Sequence, residues 1–385
     1  MSDVDDPATG PTMGAATDPA TEAVASGRAW AELCDALKAA GEVILAPENP
    51  ADSLERAEGF RMLSRLVRYG FESFLEFSDP LTPELVCATH ETIKIIHENP
   101  DNIYLGARID GRHRYRVWGE RGTVRWMSFN VHAGPFGAGG RGTAAALDAR
   151  DLVMSADGSF ELFLGGERRG PNWMPLAADA SSFIVRQTLA DRAVERPAAL
   201  RIERLDATAP PPPLEPAHVA RAFQMTALFV RTIATMATEW AGALARTPNR
   251  FVDVMPSAAR IFRDPHIHFH VAYFELGPEE ALVVEAVPPA CDYWMFALHN
   301  HWLESLDYRR HRITLNDHGA VLEPDGSVRM VVAHADPGHP NWLDTAGHGR
   351  GTVGVRWVGP DVRDVVPTAR KVSLAEVRSR RAVPA

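Results

Sequence analysis

Along the first hundred residues, apolar side chains return every three or four positions. Trp30, Leu33 and Leu37 mark one stripe from Ala29 to about Ile44, and Leu63, Leu66 and Val67 mark another between Ser53 and Phe77. This spacing gathers apolar groups on one face of a helix. Thr82-Pro83-Glu84 combines a capping hydroxyl, a proline for the first helical position and an acid for the first turn, and predicts a third helix reaching about His97. At Tyr104 the period changes to two. Tyr115–Trp118, Ser159–Leu164 and Ser182–Leu189 are short, rich in aromatic or β-branched residues and bounded by Gly, Asp and Pro, which predicts strands from about Tyr104 to Leu205. Ala209 with Pro210 to Pro213 predicts a stiff polyproline spacer. Pro216 to Arg246 reads as one long helix or a tight pair, and Phe251 to Val358 as a second β unit. The expected fold class is α+β. A disordered tail (1–27) leads to a helical part (28–100) and a first antiparallel β-sandwich (101–208). A Pro-rich linker and helix (209–250) then leads to a second sandwich (251–360) and a polar tail (361–385).

The two β units carry the same landmarks. Trp126-Met127 and Trp294-Met295, Asp157-Gly158-Ser159 and Asp325-Gly326-Ser327, Asn172-Trp173 and Asn341-Trp342, and Val185-Arg186 and Val355-Arg356 lie 168, 168, 169 and 170 residues apart. Four matches in one order imply an internal duplication. The Asp-Gly-Ser triplets are expected to be tight turns, since Asp and Gly accept positive φ. The Asn-Trp pairs read most simply as plugs at the end of each sandwich, because both copies have them. As ligand contacts, Asn341 and Trp342 would act together with Trp294, Tyr308 and Asp344.

Histidines break the symmetry: ten of fifteen fall between His266 and His348. In His266-Ile267-His268-Phe269-His270-Val271, side chains two apart share a strand face. Ile267, Phe269 and Val271 would then enter the core and three imidazoles would project opposite. His268-x-His270 followed by Glu275 resembles the HxH element of cupin metal sites, without the preceding glycine or a second element. Along Tyr293 to Trp302 the even positions look buried, leaving His299 and His301 on the other face with Met295. His266, His268, His270, His299 and His301 are therefore the candidate ligands of a transition metal such as zinc, iron or copper. Asp307 and His311, with Tyr308 beside them, form a candidate acid–base set. The alternative is a His-rich solvent face.

Composition narrows the class further. With 50 acidic against 40 basic residues the chain carries a net charge of −10, which disfavours nucleic acid. Three widely spaced cysteines, Cys34, Cys87 and Cys291, without CxxC, point to a reducing cytoplasm rather than a disulfide framework. No apolar run of spanning length predicts a membrane segment. No GxGxxG follows a predicted strand, and no GxxxxGK[ST], GxSxG or HExxH motif is present, so no nucleotide cofactor is expected.

The Tyr293-Trp294 strand, the Pro324-Asp325-Gly326-Ser327 turn, the Gly338-His339-Pro340-Asn341-Trp342-Leu343 loop and Val355-Arg356-Trp357 resemble the bacterial family catalogued as domain of unknown function 1214, often found with partner family 1254. The resemblance spans about Asp264 to Val358, and more faintly Trp126 to Leu189. It implies jelly-roll-like sandwiches beside a helical portion and brings no particular reaction. Together these readings predict a metal-assisted or His-based lyase, hydrolase or oxygenase acting on a small, largely apolar oxygenated metabolite in the second sandwich. A lipid- or glycan-binding module and a structural, oligomer-forming protein are the alternatives.

Overall fold

A computed structural model of the chain describes residues 18–134, 142–207, 212–253, 266–359 and 362–380. The helical layer is built from α1 (Pro19–Ala25), α2 (Arg28–Ile44), α3 (Ser53–Phe71), which runs on into a π-turn at Glu72–Glu76, and α4 (Pro216–Ala245). Asp52 caps α3 by accepting the Glu55 N–H at 3.0 Å. One unbroken α4 lies at the centre of this layer, and its Phe229, Ile233, Ala237 and Ala241 join Ile44, Met62 and Leu66 in a common core. Among the described residues no helix is long and apolar enough to cross a membrane.

Two β-sandwiches of identical plan make the α+β fold. In the first, a five-stranded sheet takes the order β1 (Val86–Thr89), β2 (Asn102–Arg108), β8 (Ala180–Thr188), β4 (Trp126–Ala133), β5 (Gly142–Asp148). Its partner sheet runs β7 (Trp173–Met174), β6 (Ser159–Leu164), β3 (Tyr115–Glu120), β9 (Ala199–Arg204). In the second sandwich the five-stranded sheet runs β10 (Val252–Asp253), β11 (Ile267–Glu275), β17 (Arg350–Val358), β13 (Tyr293–His299), β14 (Thr314–Asn316). Its partner runs β16 (Trp342–Asp344), β15 (Val328–Ala333), β12 (Glu280–Ala286), β18 (Thr368–Ser373). All pairs are antiparallel except the short β6–β7 and β15–β16 pairs, which are parallel in both copies. Phe129, Leu162 and Phe183 fill the first sandwich, and Phe274, Phe296 and Trp357 the second.

The repeat is real, with one adjustment. Gly158 and Gly326 turn at φ 81° and 82°, and each following serine N–H reaches its aspartate at 2.9 Å. Phe129 pairs with Val185 as Phe296 pairs with Val355. Trp126 is thus the counterpart of Tyr293, and Met127 of Trp294, so the two Trp-Met doublets stand one residue out of step. Trp126 and Tyr293 accordingly meet in the apolar contact between the units. Arg125–Asp317 at 2.9 Å and Arg150–Asp292 at 2.8 Å flank it.

Several expected boundaries shift. Residues 19–25, assigned above to the tail, are helical; residues 1–17 and the Pro210–Pro211 end of the linker lie outside the described residues. No third helix follows Thr82: the capping signals there are local, whereas Val86–Thr89 gains backbone partners as the edge strand beside β2. At the other end, residues 368–373 complete the second sandwich and α5 (Leu374–Arg380) packs Leu374 and Val377 against its small sheet.

Candidate functional site

The outer face of the second five-stranded sheet turns toward the helical layer. There Val271 and Tyr273 join the helical core. Between α3 and the end of β13, two irregular segments are wedged together: the loop 90–101, which would have been helical, and residues 300–311. The His97 N–H donates to the Leu303 carbonyl at 2.6 Å. Ile96, His97, Leu303 and, close by, Ala346 all have positive φ (30°, 51°, 63° and 50°). Side chains with a Cβ rarely adopt this conformation, and such strain concentrates at functional sites.

A polar cleft of about 180 Å³ opens beside this junction. Glu58, Arg61 and Arg65 reach it from one face of α3, Glu91 and Lys94 from the loop, and Asn300, Ser305, Asp307 and His311 from the segment after β13, with His348 opposite. His311 Nδ1 lies 2.7 Å from Asp344 Oδ2. Asp344 is itself anchored, because its Oδ1 accepts the Ala346 N–H at 2.8 Å and its own N–H donates to the Arg312 carbonyl at 2.8 Å. The ring is therefore oriented by a fixed carboxylate, and with Nδ1 engaged its Nε2 is the nitrogen left for a ligand. A second imidazole–carboxylate pair, His348 Nδ1 to Glu55 Oε1 at 3.3 Å, is buried behind it.

Asp307 also borders the cleft but is not the proton carrier expected of it. Arg309 grips its two oxygens at 2.9 and 3.0 Å and Arg310 adds a third contact at 2.7 Å. These guanidinium groups hold its carboxyl well below the usual range. Tyr308 lies against the cleft's cation, with Lys94 Nζ 5.1 Å from the ring centre.

Beneath the cleft sit four buried charges that sequence reasoning did not single out. Arg65 Nη1 meets Glu304 Oε2 at 2.5 Å. Lys94 donates to the carbonyls of Ser305 and Leu306, and the Ser305 N–H reaches Glu98 at 3.2 Å. Burial pushes Glu304 up to about 8, raises Glu98 and lowers Lys94. The Glu304-Ser305 break was visible in the sequence, and Lys94 is one of three lysines in an arginine-rich chain. Neither signal specified a charge network.

The imidazoles expected to converge do not. On β11, Ala272 and Phe274 enter the sandwich core while Val271 and Tyr273 face the helices. His268 and His270 therefore share the sandwich side, opposite Trp357 and Val355 in register. His270 Nε2 contacts Asp364 at 2.5 Å, and His268 lies 3.6 Å from the same oxygen. His299 takes the predicted outer face, stacked edge-on against His97 at 4.7 Å, with its ring N–H directed at the Glu98 carbonyl. His301 accepts from the Tyr273 hydroxyl at 2.9 Å. From His270 to Phe274 both faces of β11 are covered by protein, so alternation revealed the period but not which face was which. The pocket of His268, His270, His299 and His301 is thus split across the sheet, and His266 stands at the start of β11, whose preceding residues lie outside the described set. Among the described residues no three or more His, Cys, Asp or Glu are placed to hold one metal ion.

The aromatic contacts are structural too. Trp294 is 6% exposed inside the sandwich core. Asn341 exchanges two hydrogen bonds with Val321, and the Trp342 indole donates to the Ala333 carbonyl at 3.0 Å. Asn172 and Trp173 make the same bonds in the first copy. These side chains are spent on backbone, which corrects their assignment as ligand contacts.

Fold and cleft together define a tandem β-sandwich protein with a helical layer and a polar cleft at their seam. The chain belongs to the same family as an uncharacterized protein from Burkholderia cenocepacia. That protein's crystal structure is 41% identical, with a TM-score of 0.89 over 92% of this chain and 99% of that one. A protein from Vibrio parahaemolyticus is 11% identical over 81% of this chain and 97% of that one, with a TM-score of 0.45. A salicylate 1,2-dioxygenase from Pseudaminobacter salicylatoxidans is 10% identical over 81% and 87%, with a TM-score of 0.16. Likeness this remote carries no argument about activity. No protein-family profile matches the chain, and no curated protein does.

Proposed function

We propose that the protein is an enzyme that moves a proton on a small, oxygen-rich metabolite held in the seam cleft, with His311 as the general base and Asp344 as its orienting partner. The observation that carries this reading is the 2.7 Å contact between His311 Nδ1 and an anchored Asp344, with the ring bordering a cleft lined by polar groups. Asp344 accepts the Nδ1–H, which leaves the lone pair on Nε2, and it stabilises the imidazolium formed once a proton is taken. Proton abstraction from substrate or from an attacking water places the reaction among lyases or hydrolases. The cleft is smaller than the ~300–1,000 Å³ of drug-sized sites, and its polar lining favours oxygenated groups over the largely apolar molecule expected from sequence. The lipid- or glycan-binding alternative loses its support, since the Trp loops are occupied by their own backbone. Kinship with domain of unknown function 1214 and a cytoplasmic setting belong to the same proposal. The second is supported by Cys34, Cys87 and Cys291 all being free thiols.

The test is turnover in a mixture of small polar metabolites followed by NMR. Wild-type protein is expected to deplete one component, and His311→Asn to slow that depletion by about 10²- to 10⁴-fold. Depletion by His311→Asn at the wild-type rate overturns the assignment.

A further inference from the structure

The donors of the seam cleft are only partly used. Arg65 is 5% exposed, yet among the described residues its one hydrogen bond is from Nη1 to Glu304, so Nε and Nη2 have no acceptor. Lys94, 2% exposed, gives two of its three N–H groups to carbonyls. The Ser305 hydroxyl is buried close enough to Glu98 to favour that carboxylate's charged form, but makes no well-formed hydrogen bond. All three residues line the same small cleft as His311. Of these donors the Ser305 Oγ is shut off from solvent without a partner, a state that is costly unless something accepts from it. An Arg fork beside an ammonium and a hydroxyl is a geometry suited to an oxyanion.

We infer that the cleft binds the carboxylate of a small monoanionic organic acid, with Arg65, Lys94 and Ser305 as its anchors and the rest of the molecule extending toward His311. The inference rests on the reading of this cleft as the reactive site and names the substrate class for it. Charge count selects a monoanion. Arg61 is already matched by Glu58 at 3.1 Å, and Asp307 by Arg309 and Arg310. Lys94 has Glu98 nearby, and Glu91 remains on the rim. A phosphate dianion would meet these carboxylates with twice the charge, whereas a carboxylate adds one. Burial also favours the neutral form of Glu304. That form leaves Arg65 with a positive charge for the ligand to meet.

Calorimetric and ligand-observed NMR titrations of the full chain with pyruvate, L-lactate and glycolate, with inorganic phosphate as competitor, test this. At least one of the three acids is expected to bind. Arg65→Gln should weaken binding by about 10- to 100-fold, the share of a charge-assisted contact. Ser305→Ala should weaken it several-fold, and phosphate at equal concentration should not compete. If Arg65→Gln does not fold, Ser305→Ala and Lys94→Met carry the test. Absence of binding by all three acids to folded wild-type protein, affinity unchanged in the folded variants, or displacement by phosphate overturns the inference. Failure of the acid–base reading looks different: the acid binds and depends on Arg65, but the His311 ring signals do not respond. Conversely, His311-dependent turnover of a neutral molecule with no acid binding would retain that reading and remove this one.

Discussion

Arg65→Ala is expected to lower the unfolding free energy by about 3–5 kcal/mol at alkaline pH, the penalty for leaving a buried carboxylate without its partner. Glu304 is 1% exposed and its Oε2 contacts the guanidinium. Its other oxygen has no hydrogen-bond partner among the described residues, so only the weaker field of Lys94 would remain to offset its charge. The loss should depend on pH, and the sign follows from Glu304 itself. Its folded value lies above the ordinary 4.5, at about 8. The stability linked to its proton is therefore complete below about 4.5 and is lost as pH rises through the folded value. Removing Arg65 extends that loss, so the variant should fall furthest behind wild type at pH 8.5 and least at pH 5.5. Arg65→Met combined with Glu304→Leu removes both charges while keeping volume, and should recover most of the stability. Urea unfolding at the two pH values checks this. A double variant as unstable as the single one, or a pH-independent deficit, would show that the pair is not an isolated buried ion pair.

The second large effect is acid sensitivity from two buried histidines, His299, which was expected to bind metal, and its neighbour His97. His97 is held at about 3 by burial and then by Arg356. His299 is lowered by burial, then by His97 and Arg356. The Arg356 guanidinium lies 4.2 Å from the Phe269 ring centre and donates to the His97 carbonyl, so a cation already stands beside these rings. Folded-state values below the ordinary 6.5 mean that stability is present above that pH and is lost as pH falls. Each imidazole contributes up to about 1.4 kcal/mol per pH unit. His97→Gln combined with His299→Gln should therefore flatten the stability profile between pH 6.5 and 5 by about 2 kcal/mol per pH unit relative to wild type. Glu98, Asp101 and Glu304, raised by burial, slope the other way, so the comparison of variant with wild type is the informative one. Matching slopes in the two proteins would mean that these rings are charged or solvated when folded.

Periodicity made most of the architecture legible. The stripes of α2 and α3, the helical character of α4, though not whether it was one helix or a pair, and the doubled β plan all follow from the sequence pattern, because an element that buries a face records it. Legibility failed where both faces of an element are covered. On β11 the His and apolar positions alternate as expected, but the helical layer, which no local pattern announces, claims Phe269, Val271 and Tyr273. It failed again at Thr82, where a good capping sequence lost to an edge strand. Of the residues around the cleft, His311 and Tyr308 stood out in the polar cluster after a buried strand and Asp344 as a loop acid beside Trp342, but nothing in the sequence paired His311 with Asp344. Arg65, Lys94 and Glu304 were not, because they come from three segments separated by as many as 239 residues, and only folding makes them neighbours.

Crystals soaked in pyruvate, L-lactate and glycolate, one at a time, test most directly the claim that chemistry resides in the seam cleft. The account predicts density for at least one acid in the cleft, its carboxylate on Arg65 and Ser305 and its other end within hydrogen-bond reach of His311 Nε2. Ligand density gathered instead on His268, His270 and Asp364, or under the Trp173 and Trp342 loops, with the cleft unoccupied in every soak, would contradict it.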